Sequence, residues 1–227
     1  MNYLIAIITV AACFALASVT LDWGKLEHSR LLRPAQPEER AEAKRLSKAQ
    51  VLVFSLLIAV GASVTMWRLL AMSRDLLNVA KLSIALVCLT GGACVDYVEH
   101  RIPNLFSGAL ALSAVGLLVM GFLLKQDGAT AYVFTGVLAA AASTLCLLVG
   151  RALSHQGIGL GDIKIIAGLG LMGGVYIICG TLFFSMTICA LVSGVLLLSK
   201  KKTIREGLPF GPFLLIGYML TICLIKF

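Results

Sequence analysis

The chain has 227 residues, 59% of them hydrophobic and only 13% charged, with a mean hydropathy of +0.98. A water-soluble domain of this size cannot hide so much apolar surface, which excludes a soluble globular protein and points to a polytopic membrane protein. The net charge of +8 is no argument for nucleic acid here, because in a membrane chain the placement of Lys and Arg carries the information.

Eight apolar segments are read along the chain, at about 2–21, 51–72, 79–97, 104–124, 129–150, 163–173, 175–199 and 208–226. The first lacks a basic leading stretch and an A-x-A-like cleavage site, so it is read as a retained span rather than a signal peptide. Residues 22–50 form the one sizeable hydrophilic stretch. Pro37-Glu38-Glu39 has the pattern of a helix start, and Lys44, Arg45 and Lys48 follow. This stretch is too short and too charged for a core of its own, and reads as a solvated connector against anionic headgroups.

The run ending at Asp96 is followed by Arg101-Ile102-Pro103-Asn104. Pro103 fixes φ, Asn104 is expected to cap the next helix, and Arg101 is in reach to pair with Asp96. Ahead of the sixth segment lies Gly157-Ile158-Gly159-Leu160-Gly161-Asp162. Gly157, Gly159 and Gly161 remove side chains where a helix or an extended peptide comes close, and Asp162 suits the N-cap of a helix starting near Ile163. Lys164 either acts on that carboxylate by charge or snorkels to the interface. The stretch 163–199 is too long for one span and too short for two, and Gly173-Gly174 offers a break. Its first 11 residues cover about 16 Å, half the hydrocarbon core, so the backbone around the glycines must line protein or water. Gly170 and Gly174 have the spacing of a tight helix contact. The last segment opens on Leu208-Pro209-Phe210-Gly211-Pro212-Phe213, a rigid and irregular lead-in.

If the loop 22–50 is cytoplasmic, 14 of the 19 basic residues fall on its face, leaving Arg68, Arg74, Lys81, Lys125 and Lys226 opposite. That imbalance puts both aspartates on the cytoplasmic side and both chain ends outside. The seven cysteines lie in apolar runs without a C-x-x-C pair and are expected to be small buried hydrophobes.

Asp96 and Asp162 carry the chemical argument. Ionisable groups near membrane depth are costly, and two carboxylates that meet in a partly dry site can share a proton and activate a water. Other chemistries lack their signatures: there is no H-E-x-x-H for a metalloprotease, no G-x-S-x-G elbow, and no G-K-[ST] after the glycines for phosphate. No metal and no organic cofactor are expected. A small proton- or cation-coupled transporter could use the same acids, but no inverted repeat is visible.

Asp96 with Arg101-Ile102-Pro103-Asn104, then Gly159-Leu160-Gly161-Asp162-Ile163-Lys164, then Leu208-Pro209-Phe210-Gly211-Pro212 resembles the type IV prepilin peptidases, a branch of the GxGD aspartic membrane proteases. The resemblance covers about residues 79–227. It implies an all-α bundle of about eight membrane helices, with a short helix after the GxGD loop and with Asp96 and Asp162 catalytic. Two N-terminal spans (1–78, joined through 22–50) would precede a six-span protease core (79–227), all one integral unit. It further implies a prokaryotic cytoplasmic membrane and, as partners, the bilayer and pilin-like precursors, cut on the cytoplasmic face behind a short basic leader. Bifunctional members carry a cytoplasmic domain with paired C-x-x-C motifs and also N-methylate the product. Residues 22–50 contain no cysteine and are too few for such a domain, so a peptidase-only form is expected. Signal-peptide-peptidase-like enzymes share the GxGD element, but their PAL motif is replaced here by Pro209-Phe210-Gly211-Pro212.

Overall fold

A computed structural model of the chain describes residues 2–22, 48–72, 75–99, 103–124, 128–153, 159–199 and 208–224. Almost all of these are helical: α1 (Asn2–Asp22), α2 (Lys48–Met72), α3 (Leu76–Glu99), α4 (Asn104–Leu123), α5 (Ala129–Leu153), α6 (Leu160–Leu198) and α7 (Gly211–Leu224). Six are long and apolar enough to cross a membrane, and α7, with 14 residues, is shorter. The protein is an all-α membrane bundle. The charged connector and most of the basic residues used in the topology count lie outside the described residues.

Burial singles out α3. It packs against α1, α2, α4, α6 and α7, and it is far more buried than any other span. In lipid the apolar effect does not drive helices together, so the gain must come from close packing of small residues. The sequence of α3 supplies them at Ala85, Gly91, Gly92 and Ala93, and the Phe106 ring of α4 lies over Gly91 where any β-carbon would collide. The buried hydroxyls of α3 are satisfied within their own helix, Ser83 donating to the Val79 carbonyl and Thr90 to the Leu86 carbonyl. The outward faces carry Trp67, Leu112, Leu123 and Phe134, the apolar girdle a bilayer requires.

The expected break in the sixth segment is present. Gly174 has φ +70° and ψ −172°, a backbone state that residues with a β-carbon avoid. It divides α6 into a first leg of about 21 Å, shorter than the hydrocarbon core, and a longer second leg. The second leg turns back. Ser185, eleven residues beyond Gly174, packs on Gly217, which is six residues into α7 from Gly211. With α6 divided there, the described helices follow the eight expected segments.

Gly170 serves the close contact expected of it, its α-carbon approaching the backbone of Ala139 and Ala140 on α5, whereas Gly174 provides the turn. At the far end of α7, the Arg68 guanidinium donates through Nε and Nη2 to the Cys223 carbonyl at 3.1 and 3.0 Å. A cation there answers both the unpaired carbonyl and the negative end of the helix dipole. The seven thiols are free. Cys13, Cys88 and Cys94 are buried as expected, but Cys146 and Cys179 are exposed on the bundle's outer surface, because an apolar thiol suits lipid as well as a core.

Candidate active site

Asp96 sits in the last turns of α3 and is 5% exposed. A carboxylate at such depth needs donors, and α7 brings one. The Gly211 N–H, at the first residue of α7, donates to Asp96 Oδ2 at 2.7 Å. The first N–H groups of a helix have no partner within it and lie at its positive end, which suits a buried acid. The local sequence makes the approach possible. Pro209 and Pro212 restrict the backbone on either side, and Leu214 N–H closes the first turn on the Phe210 carbonyl at 3.0 Å. A β-carbon at position 211 would lie 2.9 Å from Asp96 Cβ and 3.1 Å from the Ala93 α-carbon, so only glycine lets α7 come this close.

Asp162 is carried by α6. The helix begins at Leu160 with Gly159 at the N-cap position, so Asp162 is the third helical residue rather than the cap itself. Its carboxylate reaches back to the Gly159 backbone, the acid half of a capping box. Helix formation extends to Leu160 with this single bond taking up the otherwise unpaired Gly159 N–H. The side chain is half-buried, and it lies within electrostatic reach of Asp96. Two acids far apart in sequence therefore share one end of the bundle.

The second element of the pattern acts differently from its expected role. Pro103 occupies the N-cap of α4 with φ −62° and ψ 138°, and Asn104, the first helical residue, makes no capping bond. Asn104 Oδ1 instead accepts a hydrogen bond from Lys164 Nζ at 3.0 Å. Lys164 thus ties the start of α6 to the start of α4 at the exposed rim. Neither residue type signals this pairing in sequence, since each has a sufficient local role. Gly161 lies half-buried between Leu160 and Asp162, and Gly159 is exposed. Pro209, Phe210 and Pro212 are half-buried around the Asp96 clamp, with Phe210 packed on the main core. Arg101 and Gly157 lie outside the described residues.

Chemically, the arrangement offers one deeply held carboxylate and one at the rim, close enough for their charges to be felt mutually. Such a pair can hold a proton between its members and polarise a water.

Comparison with known proteins bears on this region. Residues 82–194, which include both aspartates, match the type IV leader peptidase family. A segment of 87 residues is 39% identical to the prepilin leader peptidase/N-methyltransferase of Bacillus subtilis (strain 168), covering 38% of this chain and 35% of that protein. No solved structure matches.

Proposed function

We propose that this chain, which belongs to the type IV leader peptidase family, is a membrane-embedded aspartic endopeptidase that removes the basic leader from pilin-like precursors. The observation that carries the reading is that Asp96 and Asp162 stand at the same end of the bundle, within electrostatic reach of each other. In the proposed mechanism the two carboxylates share one proton. The ionised member takes a proton from a bridging water, which attacks the scissile carbonyl. The protonated member donates to that carbonyl oxygen, giving a tetrahedral diol and no acyl-enzyme. Its collapse breaks the C–N bond as the carboxyl that took the water's proton passes it to the leaving amine. Because the acids act as a pair, the bell-shaped pH profile of cleavage belongs to the pair and not to either residue.

The precursor's apolar segment lies laterally against the spans of the core, residues 79–227, while its basic leader stays in the cytoplasm. That orientation is supported by the basic-residue imbalance along the sequence. The scissile bond must be extended, because a helical carbonyl is engaged in its ladder; a glycine at the cut eases the unwinding. N-methylation of the product is not part of the proposal. The 22–50 segment has no cysteine to build a zinc-binding domain.

The test is incubation of purified protein with a pilin-like precursor, with the cut mapped by mass spectrometry. Cleavage at one bond ahead of the apolar segment, insensitive to chelators and lost in Asp162→Asn, is the expected result. Substantial cleavage by Asp162→Asn removes the aspartate pair from the mechanism, and absence of any cut in the wild type removes the peptidase reading.

A further inference from the structure

At the other end of α3 lies a second polar feature that the aspartate chemistry does not use. A cavity of about 960 Å³ opens between α3, α4, α5 and α6, framed by Asn78, Lys81, Leu118, Tyr132, Thr135 and Val175. Lys81 is 5% exposed, in the second turn of a helix otherwise packed with apolar and small residues. Its ammonium lies over the Tyr132 ring, 5.1 Å from the centroid. It is fifteen residues from Asp96 on α3, about 22 Å along a helix, which leaves it several ångströms short of the far interface.

A cation held at that depth requires a counter-charge, and the face of one tyrosine is a partial answer. Among the described residues, Asp75 is the one carboxylate at this end of α3. It is exposed, precedes the helix, and accepts from Asn78 Nδ2 at 3.3 Å rather than from Lys81. Asp96 and Asp162 are at the opposite end, and so is the end of α1, where Leu21 packs with Val98. Beyond the ammonium, the walls are mainly apolar, with Asn78, Thr135 and the hydroxyl-bearing Tyr132 and Tyr176 as the polar side chains. The walls therefore ask for a ligand that is anionic at one point and hydrocarbon elsewhere.

We propose that this chamber binds the phosphate of an anionic membrane lipid, held by Lys81 with Asn78 beside it, while the upper acyl chain covers Leu118 and Val175. Basic pockets between membrane helices take lipid headgroups for this reason, and the volume, near the top of the usual range for ligand pockets, accepts a headgroup with the start of a chain. A free phosphate satisfies the charge but leaves the apolar wall bare. The site stands independently of the peptidase reading, since it shares no residue with the aspartate end.

The experiment is native mass spectrometry and thermal unfolding of the purified full chain in neutral detergent. The probes are phosphatidylglycerol, diacylglycerol with the same chains, and inorganic phosphate alone, each with wild type, Lys81→Met, Lys81→Arg and Leu118→Trp. Wild type is expected to retain one phosphatidylglycerol and to unfold at a higher temperature with it, and to respond to neither other probe. Lys81→Met should weaken retention about tenfold or more, Lys81→Arg should keep it, and Leu118→Trp should lower it by filling the wall. Equal retention by wild type and Lys81→Met overturns the proposal, as does equal binding of diacylglycerol. A full response to inorganic phosphate overturns the lipid in favour of a free anion. If Lys81→Met does not fold, undiminished retention by Leu118→Trp decides against the site.

Discussion

The two carboxylates are carried by helices built in opposite ways. α3 is the hub of the bundle, packed on five others, and Asp96 is fixed there by burial and by a neighbouring helix's N–H. The first leg of α6 is short and ends at the Gly174 turn, and Asp162 is held mainly by its own helix's first turn. One acid is therefore positioned by tertiary packing and the other by local structure. If the pair shares a proton as proposed, that difference is tolerable only if the rim contact keeps α6 in register with α4, which packs on α3.

The comparison is broken most severely by removing each acid in turn. Asp96→Ala and Asp162→Ala should both lower precursor cleavage by at least about a thousandfold, since either loss leaves no proton-sharing pair. Their stabilities should differ. Asp96→Ala leaves the Gly211 N–H buried without its acceptor, which costs about 1–3 kcal/mol, whereas Asp162→Ala loses a first-turn contact worth less than about 1 kcal/mol. Denaturation in detergent alongside the cleavage assay separates the two. Equal stability losses would mean that the two acids are not held differently.

Gly211→Ala tests the tertiary side alone. Its new methyl group has to displace Asp96 or the α3 backbone at Ala93, with contacts near 3 Å in the native packing. A shift of an ångström at a reacting group costs up to about a hundredfold in rate, so a loss of about 10- to 100-fold is expected. The drop should appear in kcat more than in KM, because in the proposed reading the precursor's apolar segment docks elsewhere. An unaffected kcat would show that Asp96 does not need α7 at this distance.

How far these features could be read from sequence depends on whether they are local. The Gly173-Gly174 break was legible, because a stretch of wrong length for its membrane and a pair of glycines are both visible in one segment. The bundle class followed from composition. The meeting of Asp96 and Asp162 was an inference from one-sidedness, and it needed the fold to bring α3 and α6 together. The Asn104–Lys164 bridge and the Gly211–Asp96 clamp were hidden, since each joins helices whose pairing no local pattern encodes. Asn104 and Asp162 read as caps because those residue types favour caps, yet tertiary partners and one more turn of helix gave both other positions. Lys81 stood in the sequence only as a charge on the less basic face, and its burial needed α5 and α6 around it.

A smaller effect is expected at the hinge of α6. Gly174→Ala places a β-carbon on a backbone with φ +70° and extended ψ, a state that costs about 1–3 kcal/mol outside glycine. The space is not the obstacle, because the nearest atoms, those of Thr135, lie at ordinary contact distance. The penalty should therefore appear as a lower unfolding temperature, with cleavage per folded molecule changed less than in Gly211→Ala. If Gly174→Ala instead abolishes cleavage in folded protein, the turn sets the position of Asp162 and the local account of that acid is too simple.

The smallest effect sharpens the comparison most, because it concerns the tie between the two helix starts. The Lys164–Asn104 hydrogen bond is exposed, and exposed charged contacts contribute about 0.2–1 kcal/mol, or up to about fivefold in an equilibrium. Asn104→Ala and Lys164→Met should each lower kcat/KM by about two- to fivefold. If the bond acts by registering α6 against α4, the double variant should be no worse than either single one, since a broken tie cannot be broken twice. Additive losses would show that the two side chains serve separately. A loss far above tenfold in Lys164→Met alone, with Asn104→Ala mild, would place the ammonium against the substrate or the carboxylate pair, and the rim would then belong to the chemistry and not only to its alignment.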